Sequence, residues 1–205
     1  MKDITEQLEA IRRRVERADT DEGEGVAVVI RRTYRGEAED VWDAITSPER
    51  LPRWFAPVTG DLREGGTFQV ENNAGGDIQR CDPPRLLRLT WGAPNSIVEV
   101  TLTAAGSDRT DLEVRHTVPL SVAGSAAGAL YVGPGWDQGL LRLAQYLSGE
   151  DLGDLTTAEN SIEGQEFSRG SIAAWADAVR ASTLATEDQT TAAITAATTH
   201  FAPNL

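Results

Sequence analysis

At 205 residues, with 40% hydrophobic and 25% charged side chains, the chain has room for one sizeable globular domain and an appendage. Its formal net charge of -13, from 32 acidic against 19 basic residues, repels phosphate backbones and anionic lipid surfaces, so nucleic acid and membranes are not expected partners. The single cysteine, Cys81, excludes an internal disulfide framework and a multi-cysteine metal site, and no apolar run approaches the roughly 20 residues of a membrane span.

The N-terminal MKDITEQLEAIRRR carries charges where a signal peptide would place its apolar segment, so a cytoplasmic location is expected. Residues 3–18 read as a helix, because Ile4, Leu8, Ile11 and Val15 recur at i, i+4, i+7 and i+11. Arg12, Arg13 and Arg14 fan around it as a solvated face, and the acidic DTDEGEG closes a helical arm over residues 1–25. Val26–Tyr34 is the first expected strand, with Val28, Ile30, Arg32 and Tyr34 sharing a face.

Two short helices follow in VWDAITSPERLPRWFAP (41–57). Ser47 and Pro48 suit the start of the second, and Leu51, Trp54 and Phe55 make its apolar stripe. Helices this short need a large apolar surface to lie on. Five more strands supply it. They are Thr67–Glu71, Ile78–Cys81 after the NNAGG hairpin signal, Leu86–Trp91, Ile97–Thr103 and Asp111–Thr117. Pro83-Pro84 ends the second of them, since neither proline donates to a ladder.

The segment 119–135 is rich in glycine and small residues. From Trp136 a long helix is expected to Leu147 through Trp136, Leu140, Leu143 and Leu147, with Gly149 as its stop. After an acidic linker (150–155), helices over 167–184 and 187–200 form an extension too small for a core of its own. It must dock on the main domain or on another subunit, the latter giving a homodimer.

The phrases VWDAITSPERLPRWFAP, GGTFQVE, CDPPRLLRLTWG, VEVTLTAAGSDRTDLEVRHT and GWDQGLLRLAQYL occur in an order that resembles the START-like (SRPBCC) superfamily. Within it they are similar to homologues of the activator of the heat-shock-protein-90 ATPase. The resemblance covers about residues 26–149 and leaves 150–205 as a C-terminal extension of the kind seen in some actinobacterial members. It implies an α+β helix-grip fold, a curved antiparallel sheet wrapped around a long C-terminal helix, with a cavity entered near the small helices. The superfamily includes ligand carriers, cyclases, hydrolases and chaperone-binding modules, so the fold does not choose among them.

Strand parity turns Val28, Ile30, Phe68, Val70, Ile78, Leu87, Leu89, Trp91, Val98, Val100, Leu112 and Val114 inward, an apolar lining suited to a small molecule or to a solid core. Trp54, Phe55, Tyr131 and Trp136 are placed at the mouth, with Leu140 on the inner face of the long helix. Arg32, Arg80 and His116 also carry inward parity. Each must orient a polar ligand group, pair with a local carboxylate, or be turned outward by a bulge, because burying unpaired cations is costly. His116 is the only histidine of the domain and could act as a general base, though a hydrogen-bonded structural role is the commoner one for such a residue; Cys81 reads as a buried filler.

No HExxH, GxSxG or GxxxxGKS motif is present, and no metal set or cofactor site can be assembled. The expected function is non-enzymatic binding of a hydrophobic small molecule in an internal cavity. The alternatives are a cyclase- or hydrolase-type enzyme on the same cavity and a co-chaperone-like activator of an ATPase.

Overall fold

The computed structural model describes residues 3–205. A short helix α1 (Ile4–Glu9) leads into strands β1 (Arg12–Thr20) and β2 (Gly23–Arg35). Helix α2 (Ala38–Thr46) and a 3-10 turn (Leu51–Arg53) follow. Then come β3 (Val58–Gly60), β4 (Thr67–Val70), β5 (Gly75–Asp82), β6 (Leu86–Trp91), β7 (Ala93–Ala104) and β8 (Arg109–Pro119). The chain closes with α3 (Leu120–Ala123), α4 (Ala129–Leu147), α5 (Leu155–Asn160), α6 (Ile162–Ser182) and α7 (Glu187–Phe201). The eight strands form one antiparallel sheet in the order β1-β2-β8-β7-β6-β5-β4-β3, the helix-grip arrangement that the strand and helix order implied.

Two strands were not expected, and each has a physical reason. The helical arm expected over residues 3–18 is helical only at Ile4–Glu9, and Arg12–Thr20 is an edge strand of the sheet. Residues 1 and 2 of that arm lie outside the described residues. In β1 the inward positions are Arg13, Val15 and Arg17, opposite Ile30, Val28 and Val26. Arginines on both sides of Val15 hide the two-residue alternation, and Ile11 and Val15 then match a helical spacing by coincidence. The acidic stretch at 19–25 is the β1–β2 hairpin, with Gly23 at φ 103. Strand β3 is three residues long, too short for any alternation to show.

Charged side chains line the outer face of the β1–β2–β8–β7 half. Glu16 bonds to Arg14 and Arg115, and Arg88 bonds to Glu99, which stands opposite Arg115 in the register. These pairs lie over Ala27 and Val29, which are 0% and 2% exposed although their parity is outward. Alternating charges thus cover the small apolar residues of β2 from the solvent side.

Helix α4 begins at Ala129, not at Trp136, and runs through Pro134. Local propensity argues against this, since proline removes a backbone donor and glycine costs entropy. Packing overrides it. Leu130, Gly133, Pro134, Leu140, Leu141 and Leu143 are all buried between the sheet and α6. A Cβ at Gly133 would stand 2.4 Å from Cε2 of Trp175, whose ring is 0% exposed. Glycine there lets the indole lie on the helix backbone. The extension docks on its own chain: α6 lies on α4 and β1, and α7 packs on α6 and α4.

Candidate functional site

Helix α4 packs over β2, and an apolar cleft of about 130 Å³ opens over β3–β6, beneath α2 and the 3-10 turn. Ile45 and Thr46 of α2, and Leu51 and Phe55 around the turn, form one wall. Val58, Phe68 and Val70 form another, and Ile78, Cys81, Leu87, Leu89 and Trp91 make the floor, with Leu62 at the rim. Trp54 sits behind the first wall, where its indole Nε1 donates to the Ala44 carbonyl at 2.9 Å and ties the turn to α2. The Thr46 hydroxyl is spent on the Trp42 carbonyl at 2.7 Å. The lining therefore offers hydrophobic contact and one thiol.

A register shift between Ile78 and Arg80 explains the composition of the floor. It places Cys81 on the same face as Ile78, opposite Leu87, and turns Arg80 to solvent. Arg80 is thus not a cavity residue, which corrects its inward parity; one bulge moves every later side chain of the strand to the other face. The Cys81 thiol is pushed up from its ordinary pKa by burial and by the carboxylates of Glu64 and Asp82, so it is neutral and serves as an apolar filler.

Aromatic rings continue from the cleft toward α4. Phe68 stacks on Trp91 with centroids 5.8 Å apart, Trp91 meets Trp136 at 5.3 Å, and Trp136 meets the edge of His116 at 5.9 Å. The Trp136 indole N–H donates to His116 Nδ1 at 3.2 Å. An indole nitrogen only donates, so the imidazole proton is assigned to Nε2, which lies 2.8 Å from the Ser96 hydroxyl. Burial holds His116 down to about 4, and it is neutral at pH 7. Its one lone pair is occupied by Trp136, so it is a hydrogen-bonded structural histidine here and not a poised base.

The other expected site residues lie elsewhere. Tyr131 is 54% exposed at the start of α4, outside the cleft. Leu140 is buried, and its carbonyl accepts from the Tyr34 hydroxyl at 3.0 Å. Arg32 is inward and buried, as parity requires, but lies on the α1 side of α4, where its Nη2 donates to Gln7 Oε1 at 2.6 Å. Of the residues singled out from sequence, the structure brings Phe55, Phe68, Val70, Ile78, Leu87, Leu89 and Trp91 together in the cleft and places Trp136 and His116 behind them. Sequence reasoning missed Val58, Leu62 and the cleft-facing position of Cys81. Periodicity carries no signal for a three-residue strand or a bulge.

A second buried group joins the domain to its extension. Asp137 on α4 is 0% exposed, and its Oδ2 accepts from Arg13 Nε at 2.7 Å, from Trp175 Nε1 at 3.1 Å and from the Ser171 hydroxyl. Arg13 Nη1 donates to the Leu8 and Ile11 carbonyls. Burial pushes the Asp137 carboxyl up while Arg13, Ser171 and Trp175 pull it back. Nearby, Gln138 Nε2 donates to Ser168 Oγ at 2.8 Å. Among the described residues no group of three or more His, Cys, Asp or Glu side chains could hold a metal ion, and no helix is long and apolar enough to cross a membrane.

The sheet, the gripped helix and the apolar cleft define a helix-grip protein of the START-like class. Residues 35–148 match the family described as activator of Hsp90 ATPase homolog 1-like protein, and the chain belongs to that family. Its structure is similar to CalU16 from Micromonospora echinospora, at 36% sequence identity over 83% of this chain and 98% of that one, with a TM-score of 0.70 for the crystal structure. It is also similar to DynU16, from the dynemicin biosynthetic locus, at 25% identity over 61% of this chain and 48% of that one, TM-score 0.52. PFC0360w, an HSP90 activator from Plasmodium falciparum, shares the fold at 21% identity over 60% of this chain and 96% of that one, TM-score 0.51. Comparison with curated protein sequences finds no match.

Proposed function

We propose that the chain binds a hydrophobic small molecule without chemistry, seating its apolar end in the cleft over β3–β6. The observation that carries this reading is a cleft lined almost wholly by apolar and aromatic side chains in a family whose members share this sheet. Size narrows the ligand. Drug-sized sites span roughly 300–1,000 Å³, whereas an apolar cavity of about 150 Å³ takes benzene. At about 130 Å³ the cleft matches one ring or a short alkyl end, with the rest of the molecule outside, past Leu62. The place of DynU16 in the dynemicin biosynthetic locus supports this direction. An enzymatic reading has lost its main candidate, because His116 is neutral and doubly hydrogen-bonded.

The test is a titration with benzene, indole and hexanol, followed by tryptophan fluorescence, since Trp91 lines the cleft. Leu87→Trp fills the cleft and is expected to abolish the response, whereas Arg32→Met is expected to leave it intact. An unchanged affinity in Leu87→Trp would overturn the proposal. Stimulation of a heat-shock-protein-90 ATPase by purified protein, unaffected by Leu87→Trp, would favour the activator role instead.

A further inference from the structure

The apolar cleft presents one aromatic ring on each of its three surfaces: Phe55 on the wall of the 3-10 turn, Phe68 on the wall of β4 and Trp91 on the floor. Each is held by a further ring. Phe55 lies 5.6 Å from Trp54, which the Ala44 carbonyl ties to α2. Phe68 stacks on Trp91 at 5.8 Å, and Trp91 rests on Trp136, whose indole is fixed by its bond to His116. Rings positioned in this way lose little side-chain freedom when a ligand arrives. The two polar side chains of the lining carry no charge: the Thr46 hydroxyl donates to the Trp42 carbonyl, and burial keeps the Cys81 thiol neutral.

Aromatic pairs gain beyond the area they bury when they meet offset or edge to face, whereas a saturated group gains the burial component alone. About 130 Å³ is room for one ring, and a ring seated there has aromatic neighbours on both walls and on the floor. We infer that the buried end of the ligand is a single uncharged aromatic ring, selected by its π electrons over a saturated ring or an alkyl chain. This inference rests on the cleft being the binding site, and goes beyond it by naming the class of group that the cleft prefers.

The probes are benzene, cyclohexane and n-pentane, with bound fractions read by headspace gas chromatography over the wild type, Phe55→Leu and Phe68→Leu. Saturated hydrocarbons leave water more readily than benzene does, and comparing variants cancels that contribution. Cyclohexane is bulkier than benzene and n-pentane slimmer, so a shift against both reports the lost ring and not the space left by leucine. The expected result is saturable binding to the wild type, with the preference for benzene over both saturated probes falling about twofold to tenfold in each variant. Phe55 is only half-buried, so Phe55→Leu carries the test even where Phe68→Leu is poorly folded. Retained binding with the same preference in the wild type and the variants would overturn the inference and leave the cleft as a binding site. Failure of every probe to saturate, or binding that survives Leu87→Trp, would overturn the cleft reading and this inference with it.

Discussion

Removing the Asp137 carboxylate tests how the extension is held. In Asp137→Ala the guanidinium of Arg13 keeps its bonds to the Leu8 and Ile11 carbonyls but loses its ion-pair partner in a fully buried site. Breaking a buried pair from one side costs about 3–5 kcal/mol. Ser171 and Trp175 lose their acceptor as well, at about 1 kcal/mol or more each when a buried donor is left unmade. These terms overlap, and a loss of about 5 kcal/mol is expected, a large share of the roughly 5–15 kcal/mol that stabilises a domain. Urea unfolding of Asp137→Ala, Arg13→Met and the double variant gives the coupling directly. The double variant is expected to be about 2 kcal/mol or more better than the sum of the singles, because Arg13→Met removes the stranded cation. Trypsin should also cut faster after Arg169 and Arg180 of α6 in Asp137→Ala, since that helix loses Ser171 and Trp175 as anchors. A cost below about 1 kcal/mol, or strictly additive singles, would refute the reasoning.

Two further outcomes follow from the same geometry. Gly133→Val places side-chain atoms where the Trp175 indole lies, and is expected to cost about 3 kcal/mol or more; urea unfolding measures it, and a near-neutral result would show that α6 can shift. His116 is held at about 4 in the folded chain against an ordinary 6.5, so the unfolded chain binds its proton first. Stability should therefore be unaffected by this group above about pH 7 and fall by up to about 3 kcal/mol as pH drops through 6.5 toward 4. A difference curve against His116→Gln isolates that component, and a flat difference would refute it.

Much of the sheet is visible in the sequence because the inward residues of β6, β7 and β8 alternate with mostly polar outward ones, as in Leu87, Leu89 and Trp91 against Arg88 and Thr90. Phe68 and Trp91 could be placed on the inward face from parity alone. What was hidden depended on contacts distant in sequence. Arg13 belongs inside only because Asp137 lies 124 positions away, so its strand looks helical or solvated in isolation. The first two turns of α4 look like a loop, with glycines and Pro134, until Trp175 is laid against Gly133. Arg80 was misplaced because a bulge is a property of two strands together and leaves no mark on either one.

The contact between Trp91 and Trp136, 5.3 Å between centroids at 46° to one another, has an optical consequence. Two indoles this close and tilted share their electronic excitations, which produces a paired positive and negative band in ultraviolet circular dichroism. One partner lines the apolar cleft and the other is fixed by its bond to His116. The chain thus contains an intrinsic exciton gauge whose amplitude tracks the angle between floor and helix.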